Sequence, residues 1–231
     1  MHRRTKRPAT FSAVALAFFA CALLAAISPS PGALASDKGE LEVAHGDVHY
    51  VAGGELRFER PADFGLAVTY EQVLVQSYIP PCDYGFDYCL YYIEQAFAGT
   101  NFESAGLRIQ RRADLLSEEA CLEEFPRGFL DLAPEVHRGA GYATGRFGPL
   151  GDAAVGHYAT GYLYRLFASG ACFEFETRVG YSQYANYDPG TINEFTEADM
   201  EAMERRLAEL LSRVRLADRP HEVLFPVEMM D

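Results

Sequence analysis

The chain has 231 residues, with 33 acidic and 20 basic side chains and a formal net charge of −13 at pH 7. A surface this acidic repels phosphate backbones and anionic lipid headgroups, so we expect no nucleic-acid partner. The length suits a single domain with a sizeable hydrophobic core.

The N-terminus has the pattern of an export signal. Four basic residues precede an apolar run over 11–27, and Ala33-Leu34-Ala35 forms a small-residue cleavage site. We therefore predict a cleaved leader over 1–35 and a periplasmic or extracellular mature protein. Because every charged residue of the leader is basic, the mature chain is more acidic still.

Two alternatives to a cleaved leader are a membrane anchor and a lipoprotein signal at Cys21. The apolar run is shorter than the roughly 20 residues of a membrane span, so we expect no stable span after cleavage. A lipidated Cys21 would be followed by a polar chain, whereas Ala22-Leu23-Leu24 continues the apolar run.

The segment 36–60 is polar and forms either an opening hairpin, turning at Gly53-Gly54, or a loosely attached arm. His45, Asp47 and His49 alternate in it. On a strand they would share one face, where such a trio could hold a divalent metal. The alternative is a solvated arm without a ligand, because a glycine between the first two residues weakens the strand.

The globular domain is predicted over 61–217, with a tail over 218–231. Apolar residues alternate from Phe64 to Tyr70, which predicts a strand with one buried face. A second strand is predicted from Val73 to Ile79, ended by two prolines.

Four cysteines remain after cleavage: Cys82, Cys89, Cys121 and Cys172. An even number in an exported chain favours two disulfides, with three possible connectivities. The first two cysteines bracket a short loop, so we expect them to pair, and the other two then pair by elimination. The alternative, a zinc site, lacks both a close Cys-x-x-Cys pair and a nearby pair of histidines.

The loop between the first two cysteines carries Tyr84 and Phe86. Tyrosines give rigid amphipathic contact area, so this loop is our candidate surface for a partner, either a protein, which we favour, or a sugar. The neighbouring Tyr88, Tyr91 and Tyr92 are interpreted as facing the core.

A short helix is predicted after Ser117, which has the character of an N-cap, with Cys121 on its apolar side.

The region 138–156 is rich in glycine and includes Arg146, which could meet a phosphate. A nucleotide fingerprint requires a strand leading into a helix, and that context is missing. We interpret these glycines as loops and bends.

The clearest hairpin turns at Ser169-Gly170. This turn pairs Phe167 with Cys172 and Arg165 with Glu174, and it places aromatic residues of both strands on one face. Glu174 and Glu176 could act as an acid/base pair, but a solvated sheet face with Arg165 as ion-pair partner is the simpler interpretation.

The last element is a long helix with Thr196 as N-cap and Asp199 completing a variant of the capping box. Its apolar stripe runs from Met200 to Val214. The element order predicts an α+β fold: an antiparallel sheet with a short helix and a long C-terminal helix packed on it.

The sequence resembles uncharacterised bacterial exported proteins in its "FGLAVTY" strand, its "CDYGFDYCLYY" loop and its "YRLFASGACFEFE" hairpin. More distantly it is similar to PsbP-like domains, which are small α+β sandwiches with a terminal helix on the sheet. The cysteine loop departs from the PsbP-like pattern. The resemblance carries over no catalytic residues, and it implies binding to or assembly with a partner.

The sequence contains no nucleophile elbow, no zinc-protease motif and no phosphate-binding loop. His137 and His157 are isolated from any nucleophile. We therefore predict an exported, non-enzymatic binding or accessory protein that needs no cofactor. The alternatives are a divalent-metal-binding protein and an unrecognised hydrolase whose carboxylates meet only in the fold.

Overall fold

The computed structural model describes residues 47–73, 78–82, 84–123, 134–226 and 229–230. The chain divides into two compact units, Met1–Glu42 and Val43–Asp231, and every described residue belongs to the second. The leader, Cys21 and His45 lie outside the described residues. Within the described ranges, no helix is both long and apolar enough to cross a membrane.

A small three-stranded sheet opens the described chain. Strands β1 (Asp47–Val51) and β2 (Leu56–Arg60) form an antiparallel hairpin, and the short β10 (Arg215–Leu216) pairs with the other edge of β2. Leu56 and Phe58 are fully buried in the main core. The hairpin is therefore packed against the domain.

Seven antiparallel strands form the large sheet, in the order β3-β4-β5-β9-β8-β7-β6. They are β3 (Phe64–Ala67), β4 (Tyr88–Tyr92), β5 (Phe102–Arg112), β6 (Glu135–Gly139), β7 (Tyr142–Ala154), β8 (His157–Ala168) and β9 (Ala171–Ser182). The helices are α1 (Tyr70–Val73), α2 (Glu118–Glu123) and α3 (Glu197–Leu211). This mixture of largely antiparallel sheet and few helices is consistent with the predicted α+β class.

The predicted central hairpin is confirmed residue by residue. Arg165 pairs with Glu174 and Phe167 with Cys172 across β8 and β9. Ser169 and Gly170 both have positive φ, at 53° and 78°. That combination is the two-residue turn whose twist matches the flanking strands, so the turn fixes the register.

Helix α3 begins as predicted. The Thr196 side chain accepts a hydrogen bond from the Asp199 backbone N–H, and the Asp199 carboxylate accepts one from the Thr196 backbone N–H. Buried Met203 and Leu207 lie in the same core cluster as Phe173 of β9. Val214 is buried too, although the helix ends before it.

Both disulfides have the predicted pairing. Cys82 and Cys89 join with Cα atoms 6.1 Å apart, and Cys121 and Cys172 join at 5.7 Å. The second bond ties α2 to β9. Ser117 caps α2 as predicted, with its Oγ accepting a hydrogen bond from the Ala120 N–H.

The strand prediction from Phe64 to Tyr70 extends too far. Strand β3 ends at Ala67. The Gln72 side chain accepts hydrogen bonds from the backbone N–H groups of Val68 and Thr69, at 2.7 and 3.0 Å, and so prevents them from continuing the strand. The chain then forms α1, so the predicted strand from Val73 begins instead on the last residue of a helix. Residues 74–77 of that prediction lie outside the described residues.

The interpretation of 138–156 as loops and bends is wrong for most of its length. This stretch forms β6 and β7, which join at a turn where Gly141 has φ 82°. A Cβ on Gly139 would lie 2.2 Å from the Tyr142 ring. The glycine is therefore needed inside the strand, because an aromatic ring from the partner strand lies across it.

Candidate functional site

The large sheet is irregular where β7, β8 and β9 run side by side. The β7–β8 register shifts between Phe147 and Leu150. On the other side of β8, the Thr177 hydroxyl accepts a hydrogen bond from the Tyr162 N–H at 2.9 Å and donates one to the Tyr162 carbonyl at 3.3 Å. Such irregularities are common beside binding sites, because they redirect side chains. Here Gly161 and Thr177 line a cleft on each face of the sheet.

The first cleft, called here the helix-side cleft, lies between α3 and the sheet and has a volume of about 460 Å³. Its principal lining residues are Arg146, Tyr162, Tyr164, Glu204, Leu207 and Met230. This combination of apolar surface, aromatic rings and a few converging polar groups is typical of small-molecule sites.

Arg146 of β7 is the central polar group of the helix-side cleft. Its guanidinium carbon lies 4.1 Å from the centre of the Tyr162 ring, within the range of a cation–π contact. Its Nη2 contacts the Met230 carbonyl at 3.4 Å, and its Nη1 lies 3.7 Å from Glu135 Oε2. Its Nε is buried and has no hydrogen-bond partner among the described residues.

Two further groups in the helix-side cleft have shifted pKa values. Burial raises the pKa of Tyr164 to about 12. Burial also raises the pKa of Glu204 above its ordinary value; the nearby charge of Glu201 adds to this rise and Arg146 opposes it. Perturbed titratable groups that converge on one cleft are a feature of functional sites.

The second cleft, on the opposite face of the sheet, is an open groove of about 600 Å³. We call it the arginine groove, because its charged floor consists of Arg108, Arg112, Arg165, Arg178, Glu174 and Glu176. Glu174 lies at the centre, 2.7 Å from Arg112 Nη1 and 2.8 Å from Arg108 Nη2. Glu176 contacts Arg108 at 2.6 Å and Arg178 at 3.4 Å.

These ion pairs decide between the two interpretations of the glutamate pair. Glu174 and Glu176 share one face of β9, and Arg165 opposes Glu174 as predicted. Each carboxylate already accepts hydrogen bonds from arginines. A carboxylate held by guanidinium groups is poorly placed to move a proton, so the predicted ion pairing fits the geometry better. The predicted solvated face is wrong, because Glu174 and Arg165 are only 3% and 1% exposed.

His157 is hydrogen-bonded, one of the two alternatives that the sequence left open. Its Nδ1 lies 2.5 Å from Glu103 Oε1, and its ring stacks on Tyr78 with centroids 4.1 Å apart. His157 and Tyr78 line a small cavity that shares Asp152, Ala159 and Arg178 with the arginine groove. Glu103 and His157 are 54 positions apart, so no local sequence signal links them.

The structure places two of the three predicted metal ligands on β1. Asp47 forms an ion pair with Arg60 at 2.8 Å, and His49 Nε2 accepts a hydrogen bond from the same guanidinium at 3.3 Å. The third, His45, lies outside the described residues. Among the residues that are described, no cluster of three potential ligands is found.

The aromatic loop has one exposed and one partly buried member. Tyr84 is 69% exposed and stacks on Tyr70, with ring centroids 4.2 Å apart. Phe86 packs against the small core cluster that contains the Cys82–Cys89 disulfide. Tyr84 is therefore the more exposed of the two aromatic side chains of the loop.

The sequence drew attention to some residues of the helix-side cleft but did not indicate that they lie together in one site. A phosphate contact at Arg146 was considered and rejected, the aromatic residues of the hairpin were placed on one face, and Glu204 was missed. A glutamate on the apolar side of an amphipathic helix is the signal that could have found it. No family model matches the chain, and no curated protein is similar enough to count as a relative.

Proposed function

We propose that this chain is an exported, non-enzymatic binding protein whose helix-side cleft takes a small amphiphilic acid. The observation that carries the proposal is the buried Arg146 Nε, which lacks a partner among the described residues. Leaving a buried donor without a partner costs about 1 to 3 kcal/mol, and a bound carboxylate would remove that cost. The two disulfides fit an oxidising compartment outside the cytoplasm.

The chemistry of the lining suggests the class of ligand. A planar guanidinium recognises carboxylate and related oxyanions through charge-assisted hydrogen bonds. Leu207 and Val179 give the cleft apolar surface, and Tyr162 and Tyr164 add aromatic contact area. A molecule with one acidic group and an apolar or aromatic body would match both the Arg146 guanidinium and the apolar and aromatic lining.

The two aliphatic hydroxyl groups of the helix-side cleft support binding rather than nucleophilic catalysis. Thr177 is hydrogen-bonded to the backbone of Tyr162, and the Ser212 Oγ donates to the Glu209 carbonyl. Nucleophilic catalysis needs a hydroxyl held by a general base. Among the described lining residues, neither hydroxyl has that arrangement.

The first test uses 8-anilinonaphthalene-1-sulfonate, which combines an aromatic body with an anionic group. We expect its fluorescence to increase on saturable binding to the folded protein and decanoate to displace it. Arg146→Met keeps the side-chain volume but removes the donors, so it should weaken binding about tenfold, which corresponds to about 1.4 kcal/mol.

The matched control for Arg146→Met is the same substitution at the exposed Arg213, which should bind the dye as the unmodified protein does. Near-ultraviolet circular dichroism checks that both variants retain their tertiary packing. Equal affinities for the dye in the two variants would exclude Arg146 as the anion-binding group and overturn the proposed function.

The second test uses pH. The carboxylate of Glu204 lies in the same cleft as the ligand's acidic group and repels it, and burial raises the pKa of Glu204. As pH falls towards the raised pKa of Glu204, its carboxylate gains a proton and its repulsion weakens, so affinity for the sulfonate dye should increase. Glu204→Gln should bind more tightly at neutral pH and lose most of this dependence, as measured by fluorescence titration.

Glu197→Gln, in the first turn of α3 and exposed, is the control for Glu204→Gln. It removes the same charge from the same helix at a position outside the cleft lining. If both variants changed the pH dependence equally, the effect would come from general surface charge.

The predicted protein partner at Tyr84 and Phe86 stays a prediction. The 69% exposure of Tyr84 is compatible with it. Comparing the proteins captured by the unmodified chain and by a Tyr84→Ser variant would test it.

A further inference from the structure

The arginines of the arginine groove are unequally satisfied. Arg112 uses all three nitrogens, with two contacts to Asp114 at 2.9 and 2.7 Å and one to Glu174 at 2.7 Å. Arg165 also uses all three, bonding Glu174 twice and a backbone carbonyl once. Every guanidinium nitrogen of Arg112 and Arg165 therefore has a partner within the protein.

Arg108 differs from them. Its contacts within the described chain all use Nη2, at 2.8 Å from Glu174 and 2.6 Å from Glu176. Its Nε is buried without a hydrogen-bond partner among the described residues. The Nε and Nη1 groups of Arg108 are therefore donors that an oxyanion from outside the chain could satisfy.

The distribution of charge along the groove favours a compact anion. The four arginines of the groove are balanced by four carboxylates, Glu174, Glu176, Asp114 and Asp152, so the groove is locally neutral in a chain whose net charge is −13. Asp114 lies near the Cys172 end of β9, and Asp152 lies near its other end. An extended polyanion running along the groove would meet Asp114 and Asp152 as well as the two glutamates, whereas a compact anion at Arg108 would lie beside Glu174 and Glu176 alone, which are already paired with arginines.

We propose that the arginine groove binds a compact small-molecule anion, a phosphate ester or a carboxylic acid, with its oxyanion on Arg108 and beside Arg178. Leu150 and Leu163 line the same groove and would contact the apolar part of the ligand. The groove volume of about 600 Å³ lies within the range of small-molecule sites. This site opens on the opposite face of the sheet from the helix-side cleft, with which it shares the lining residues Gly161 and Thr177.

Isothermal titration of the mature protein with inorganic phosphate and with succinate, at low ionic strength, tests the proposal. We expect one-to-one binding of at least one of them, and the tighter one assigns the headgroup chemistry. Arg108→Lys keeps a positive charge beside Glu174 and Glu176 but lacks the guanidinium donors, so binding should weaken about tenfold.

Two further variants keep the test decisive. Arg213→Lys makes the same change at an exposed position outside the groove and should bind as the unmodified protein does. Leu150→Trp fills the groove without removing an ion pair, so it should abolish binding. This variant tests whether the anion binds in the groove even if Arg108→Lys does not fold.

The proposal is overturned if neither anion binds, or if Arg213→Lys weakens binding as much as the groove variants do. Arg146→Met changes only the helix-side cleft and should leave phosphate and succinate binding intact. A loss in that variant would assign the anion to the helix-side cleft and refute a second site. A failure of dye binding in the helix-side cleft leaves this experiment unaffected.

Discussion

Replacing Gly161 with alanine should destabilise the fold by about 3 kcal/mol or more, because the new methyl group has no space. A Cβ at this position would lie 1.9 Å from the carbonyl oxygen of Thr177 and 2.7 Å from its carbonyl carbon. Those backbone atoms belong to β9, which pairs with β5 on one side and β8 on the other. Relieving the clash therefore requires a central strand to move.

Urea denaturation and calorimetry measure this loss, and for a domain of this size we expect the melting temperature to fall by about 6 to 12 °C. Gly151→Ala is the matched control in the neighbouring strand, where the nearest atom to a Cβ would be 3.9 Å away. That variant should be as stable as the unmodified protein or slightly more stable, because alanine restricts the unfolded chain. Equal stability of Gly161→Ala and Gly151→Ala would contradict the close approach of β8 to β9.

The position of Gly161 also connects stability with binding. It lines both the helix-side cleft and the arginine groove. A Gly161→Ala protein that remains folded at low temperature should therefore bind the sulfonate dye more weakly, because the strand separation that accommodates alanine alters both clefts. The irregular segment is the feature of the sheet that the two proposed sites share.

Local sequence signals predicted the elements that depend on local interactions. The Ser169-Gly170 turn fixed the β8–β9 register, since the positive φ of both residues selects one hairpin geometry. The capping box at Thr196 marked the start of α3 because its two hydrogen bonds join residues three apart. The disulfides followed from cysteine number and spacing in an exported chain.

The candidate sites could not be predicted, because they join residues distant in the chain. Arg146 lies on β7 and Glu204 on α3, and nothing in either segment indicates that they face one cleft. The pairing of His157 with Glu103 likewise needs β8 and β5 in place. The strand error after Ala67 has a local cause, a glutamine side chain that caps the backbone, which periodicity alone does not detect.

Replacing Glu174 with glutamine should cost about 3 to 5 kcal/mol, the range found when one partner of a buried ion pair is removed. Glu174 is 3% exposed and lies within 3.1 Å of nitrogens from Arg108, Arg112 and Arg165. Arg165 is 1% exposed. Burial lowers the pKa of Arg165 while Glu174 opposes that shift. Without the carboxylate, three guanidinium groups face one another and the most buried of them loses its counter-ion.

Glu176→Gln, two residues along the same strand, is the control for this substitution. Glu176 is paired with Arg108 and Arg178 but is more exposed, with 17% of its side chain accessible. Solvent screens its charge, so the loss should be about 1 kcal/mol. A Glu176→Gln variant that loses as much stability as Glu174→Gln would contradict the claim that the burial of Glu174 beside Arg165 causes the larger loss.

A double-mutant cycle separates the buried pair from the rest of the network. Arg165→Met alone should cost less than Glu174→Gln, because it leaves Glu174 with two arginines. Combining the two substitutions should cost less than the sum of the single losses, since methionine removes the charge that Glu174→Gln leaves unpaired. Additive losses, measured by urea denaturation, would mean that the two groups do not compensate each other. The charged floor would then stabilise the fold through its other ion pairs.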